Sequence, residues 1–195
     1  MSKTRLEAFS DGVIAILITI MVLELKVPHG TDLAALSPLA PVFLTYLLSF
    51  VFLAIYWNNH HHMLQLCDRI NGRILWANMH LLFWFSLVPF TTGWMGENHF
   101  APLPTATYGV VLLFCGVAYL ILQNSIIAQQ GAGSRLARAV GSDAKGKMSA
   151  VLYLAAIPLA FVHQSISHLL YVAVAMMWLI PDRRIEGKQL DGLNG

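Results

Sequence analysis

Between Gly12 and Leu23 the chain has a single polar side chain, Thr19, and directly before that stretch stand Arg5, Ser10 and Asp11. No other feature restricts the possible folds as much. Lipid offers no hydrogen bonds to a backbone, so an apolar stretch that enters it must close its own bonds as a helix. A charged group at the edge of hydrocarbon is costly and usually has a task. After the run comes LELKVPHG, not a small-residue cleavage site. This favours a retained membrane helix over a cleavable signal peptide.

The rest of the chain repeats the pattern. Of its 195 residues 57% are hydrophobic and 11% charged, with a net charge of +2. Soluble domains carry about 25% charged residues. Mean hydropathy is +0.63. An all-α polytopic membrane protein with one compact helical domain, 1–182, follows. A hydrocarbon core about 30 Å thick takes roughly 20 helical residues. Spans are expected at about 8–27, 40–59, 74–94, 105–129, 148–162 and 166–180. Pro28, Pro38 and Pro41 punctuate the first connection, and Pro89 bends the third span. The stretch 130–147 is polar, Gly-rich and basic, and reads as a solvated connection. The last two spans are short, which leaves a re-entrant hairpin open beside two tilted helices. Residues 183–195 read as a cytoplasmic tail.

Lysine and arginine set the orientation. With six spans and the N-terminus in the cytoplasm, the inner segments hold Lys3, Arg5, Arg69, Arg73, Arg135, Arg138, Lys145, Lys147, Arg183, Arg184 and Lys188. The outer segments hold only Lys26. Both ends are therefore expected inside. Charges spread over four segments argue against a nucleic-acid site, and membrane lipid is the natural partner. Cys67 and Cys115 stand far apart, outside any CxxC pattern, and read as small core hydrophobes.

Few residues could carry chemistry. No GxSxG, HExxH or glycine-rich phosphate loop occurs, so an enzyme is not expected. The run His60-His61-His62 suggests a metal, but successive helical residues diverge by about 100° and cannot grip one ion. No metal or cofactor is expected. At the same angular step Gly12, Ile16, Thr19, Ile20 and Leu23 share a face of the first helix, and Asp11 points away from it. Periodicity alone would make that stripe ordinary packing. Asp11 needs partners. The inner ends of spans two and three offer Trp57, Asn58, Asn59, His60, His61, Trp76, Asn78 and His80. A Trp indole can only donate, so a Trp–Asp bond supplemented by His is a sensible way to hold an ionised carboxylate.

The segment Arg5-Leu6-Glu7-Ala8-Phe9-Ser10-Asp11 has the form RxxxFSD at the start of the first helix, and TYLLSFVFLAIYWNNHHHM follows with its W-x-N-H-H ending. This combination resembles the transmembrane protein 175 family, endosomal and lysosomal potassium channels with bacterial relatives. A single six-span unit is similar to the bacterial form; the animal proteins carry two. The resemblance implies a potassium-selective, leak-like channel in the bacterial inner membrane without a re-entrant filter. It implies a homotetramer with four first helices around the pore, permeant K+ ions and no small-molecule substrate. It places the constriction on Ile16, Ile20 and Leu23, with Thr19 as a polar position. It gives Arg5, Phe9, Ser10 and Asp11 a structural role with Trp57, Asn59, His60, His61, Trp76 and His80. Two other classes stay open: a proton- or metal-coupled transporter using Asp11 and the histidines, and a membrane scaffold that transports nothing.

Overall fold

The structure, a computed structural model, describes residues 2–179. The tail 183–195 and Arg183, Arg184 and Lys188 lie outside the described residues, as does the last residue of the sixth expected span. Among the described residues all regular structure is helical.

The first helix, α1, runs over Lys3–Leu23, not 8–27. Ser2 caps it by accepting from the Arg5 N–H at 3.4 Å, which draws the whole RxxxFSD motif into the helix. After a 3-10 segment at Leu33–Leu39, α2 covers Ala40–Gln65 and continues past Asn59 through the three histidines. The third span is two helices, α3 (Gly72–Ser86) and α4 (Val88–Glu97), with Leu87 between them. Pro89 sits in the first turn of α4; it has no N–H to continue the ladder of α3, so the break falls where the bend was expected. Next comes α5, Pro102–Gln130, ended by Gly131 at φ +88°, a left-handed conformation that suits glycine.

The connection 130–147 departs from the expectation. It contains α6 (Arg135–Val140), capped by Ser134, and both Leu136 and Ala139 are buried. The basic residues masked a short amphipathic helix: Leu136 packs into the same core as Ile74 and Ile126, and Arg135 and Arg138 stay exposed. Then α7 (Ala144–Leu159) starts at Asp143, whose carboxylate accepts from the Gly146 N–H at 3.2 Å, and α8 (Gln164–Leu179) returns beside it.

Among the described residues four stretches are long and apolar enough to cross a membrane: α1, Leu33–Gln65, Gly72–Glu97 and α5. The chain runs back and forth along the bundle. At one end Lys3 Nζ donates to the Gln65 carbonyl at 3.0 Å, and Gln130 Nε2 to the Leu66 carbonyl at 2.9 Å. At the other, Lys26 meets Glu97 at 3.0 Å. The short pair α7 and α8, each about 24 Å long at 1.5 Å per residue, lies against α5 and α2. The Tyr171 hydroxyl donates to the Thr105 carbonyl near the start of α5 at 3.0 Å. The Trp178 indole donates to Ser149 near the start of α7 at 2.8 Å. These contacts return α8 to the end where α1 begins.

Two cores hold the bundle together. One joins α1, α2, α3 and α5 through Leu6, Ile14, Leu53, Leu81, Phe85 and Cys115, with α6 beneath. The other joins α2, α5, α7 and α8 around Phe52, Tyr108, Tyr153 and Tyr171. Between them Ser49 bonds both Thr92 (2.6 Å) and the Tyr108 hydroxyl (2.9 Å), so a single small residue links α2 to α4 and α5.

Leu136→Ala tests the docking of α6. Truncating a fully buried leucine costs about 2 kcal/mol or more, expected as a fall of about 4 °C or more in the thermal midpoint of the detergent-purified protein. An unchanged midpoint would show that α6 is not part of the core.

Candidate functional site

The buried side of α1 consists of Leu6, Ser10, Ile14, Leu17 and Met21. These recur at helical spacing and face α2, α3 and α4. Ser10 is the polar exception, fully buried. Its hydroxyl donates to the Leu6 carbonyl one turn back at 2.9 Å, and its oxygen accepts from Asn78 Nδ2 at 2.9 Å. Asn78, also fully buried, accepts through Oδ1 from His60 Nε2 at 2.7 Å. The bond fixes the ring proton of a neutral His60 on Nε2. One chain of hydrogen bonds thus ties α1 to α3 and α3 to α2. Buried polar groups satisfied in this way hold a single arrangement, because any slippage leaves a donor or acceptor bare.

Asp11 lies one residue on, half-buried at the side of the helix. It accepts from the Trp57 indole at 2.9 Å. The bond ties α1 to α2 a second time. Trp57 stacks on His61, with ring centres 6.0 Å apart, and His61 bonds Gln65 at 2.8 Å, so His61 supports the indole and does not reach the carboxylate. Asn59 contributes its backbone: its carbonyl accepts from the Tyr119 hydroxyl of α5 at 3.2 Å.

Trp76 and His80 stand apart from this network. Trp76 is 76% exposed, and His80 Nε2 accepts from the Trp84 indole at 3.0 Å. Arg5 is exposed at the helix start, and Phe9 is exposed on the side of α1 away from Ser10. Asn78 is the residue the sequence argument undervalued. It is one of several polar candidates there, and the hub here. A signal existed: it is the only amide inside the apolar run of α3, four residues after Ile74 and three before Leu81, both fully buried.

The other side of α1 is bare. Ile16 is 58% exposed, Ile20 40% and Leu23 79%, and Gly12 and Thr19 lie on the same exposed side. The stripe sits roughly 140° round the helix from the buried one. Thr19 turns its hydroxyl inward, donating to the Ala15 and Ile16 carbonyls at 3.1 and 2.9 Å. Past the end of α1, hydrogen bonding to the Glu97 carboxylate raises the pKa of the exposed Lys26. Among the described residues no three of His, Cys, Asp or Glu converge. Burial pushes up the thiol pKa of Cys67, as expected of a packing residue.

A bundle of long apolar helices, with buried polar bonds locking its first helix, is a multi-pass membrane protein. The family model described as endosomal/lysosomal potassium channel TMEM175 matches residues 5–89, which include the whole network. A potassium channel of a Chryseobacterium species is 53% identical over 95% of this chain and 97% of its own length. The crystal structure of a lysosomal potassium-selective channel TMEM175 homologue from Chamaesiphon minutus matches with a TM-score of 0.78 at 27% identity, over 92% of this chain and 97% of that one. The endosomal/lysosomal proton channel TMEM175 of Gallus gallus is 41% identical over 75 residues, covering 32% of this chain and 15% of that protein. The chain belongs to the TMEM175 family.

Asn78→Leu and Trp57→Phe separate the two ties. The first leaves the buried His60 N–H without a partner, at about 1–3 kcal/mol, and leaves Ser10 only its bond to the Leu6 carbonyl. The second removes one donor from a half-exposed carboxylate. Thermal unfolding should show a much larger fall for Asn78→Leu; equal falls would refute a central role for the buried chain of bonds.

Proposed function

We propose that the protein is a potassium-selective, leak-like channel, built as a homotetramer whose four copies of α1 surround the pore. The observation that carries this reading is the bare stripe on α1. Gly12, Ile16, Thr19, Ile20 and Leu23 lie on one side of a helix whose other side is pinned to its own subunit. A face that a protomer leaves unfilled can line a path shared between copies. The names of the relatives support the same class: the Chryseobacterium protein is called a potassium channel and the Chamaesiphon homologue potassium-selective. They also speak against an enzyme.

In this reading Ile16, Ile20 and Leu23 form the constriction. A narrow apolar tube sheds water, so a ring of four isoleucines closes the path by dewetting. Opening tilts or rotates the four helices until the bore holds partly hydrated ions. Selectivity then comes from the cost of dehydration, lower for potassium than for sodium, and is weaker than in a filter of backbone carbonyls. Thr19 can turn its hydroxyl towards the path only by giving up its bonds to Ala15 and Ile16. Asp11, Ser10, Asn78 and His60 keep the helices in register and do not touch the ion. Six crossings with both ends in the cytoplasm complete the arrangement, in the inner membrane of a bacterium.

A second reading, proton-coupled transport through Asp11 and the histidines, takes support from the name of the Gallus gallus relative, a proton channel. It is the weaker one: Asp11 and His60 are engaged with Trp57 and Asn78, on the side of α1 facing its own subunit.

Ile16→Asn places a hydrogen-bonding ring at the constriction. In planar bilayers the variant should pass more current than the wild type and discriminate less between potassium and sodium. Unchanged current and selectivity would reject Ile16 as a pore residue, and saturable flux without unitary steps in the wild type would favour the transporter.

A further inference from the structure

Trp76 and His80, which the helix-pinning network leaves out, line a cleft of their own. It is an open cleft between the first half of α3 and the last third of α5, walled by Arg73, Trp76, Ala77, His80, Ile121, Asn124 and Ser125. Among the described residues no carboxylate lines it. Its polar groups include several free donors beside the Asn124 amide oxygen and the Ser125 hydroxyl. The Arg73 guanidinium, the Trp76 indole N–H and the Asn124 amide have no hydrogen-bond or ion-pair partner among the described residues. The Trp84 indole occupies His80 Nε2, so the proton of the neutral ring sits on Nδ1 as a further donor.

We infer that this cleft binds the phosphate headgroup of an anionic phospholipid. A guanidinium with indole and amide N–H groups lining the same cleft suits an oxyanion and not a cation. Depth favours a lipid over a free anion. Arg73 is the second residue of α3, at the end of the bundle that also holds exposed Arg69, Arg135 and Arg138. His80 lies about 10 Å further in along the helix. Trp76 stands between them, exposed as interfacial tryptophans are. A phosphate held at Arg73 therefore sends its glycerol and acyl chains past Trp76 along Ala77 and Ile121. Basic pockets between membrane helices hold anionic headgroups in this manner. The site needs only that these helices cross a membrane, and is independent of the channel reading.

The test uses the full-length protein, purified in mild detergent and supplied with phosphatidylglycerol or with phosphatidylcholine of the same acyl chains. Native mass spectrometry counts retained lipid, and thermal unfolding reads its effect. Phosphatidylglycerol should be retained in preference and raise the midpoint, and millimolar inorganic phosphate should do neither. Arg73→Gln should weaken phosphatidylglycerol retention about tenfold or more, the loss expected for a hydrogen-bonded charged group. Arg73→Lys should restore part of it, and Arg69→Gln, outside the cleft, should leave it unchanged. The proposal fails if the two lipids are retained equally, or if Arg73→Gln binds phosphatidylglycerol as the wild type does. It fails also if inorganic phosphate alone gives the full shift. Loss of the oligomer in Arg73→Gln without any preference for phosphatidylglycerol would mean that the cleft receives a neighbouring copy, and would equally overturn it.

Discussion

A buried asparagine that has both ends of its amide engaged sets the geometry of this bundle. Asn78 gives its N–H to Ser10 and takes one from His60, with all three side chains essentially out of reach of solvent. In lipid the apolar surfaces of helices have no strong reason to prefer one rotation over another, since a leucine meets a tail as readily as a neighbouring leucine. Directional bonds provide that preference. Here they act on the first turns of α1 and fix which side of the helix faces its subunit. The bare stripe higher up follows from that choice.

The same logic explains the two kinds of residue in RxxxFSD. Ser10 and Asp11 are adjacent, so they leave the helix about 100° apart. The serine reaches the deep partner on α3, and the aspartate reaches the tryptophan at the side of α2. Two bonds in different directions resist both rotation and sliding, which one bond could not do. The apolar half of α1 has only packing on one side and, among the described residues, is exposed on the other. The helix is thus gripped at its foot and open along one flank.

The sequence made the helical class and the principal spans readable, because hydropathy and length are nearly sufficient for both. Proline 89 marked its break correctly, since a missing N–H acts locally. Donor and acceptor chemistry alone gave Asp11 an indole partner, but not the choice of Trp57 over Trp76. The remainder depended on direction, which composition does not carry. His61 stands one residue from His60 and serves a different partner. Trp76 and His80 stand two residues either side of Asn78 and point to another neighbour. On a helix two residues is about 200°, so side chains that look like one cluster in the string diverge in space. The expectation for 130–147 missed α6 for another reason: a single buried leucine among arginines does not register in an average over the segment.

The path of the chain along the bundle has one more consequence. Lys3 is tied beside Gln65, and Trp178 beside Ser149 and Lys145, so the described chain enters and leaves at the same end. A gene encoding such a fold can be duplicated head to tail, and the second copy will insert the same way up with only a short link between them. Tandem descendants of a bundle like this one are therefore accessible in a single step, without any redesign of its charges.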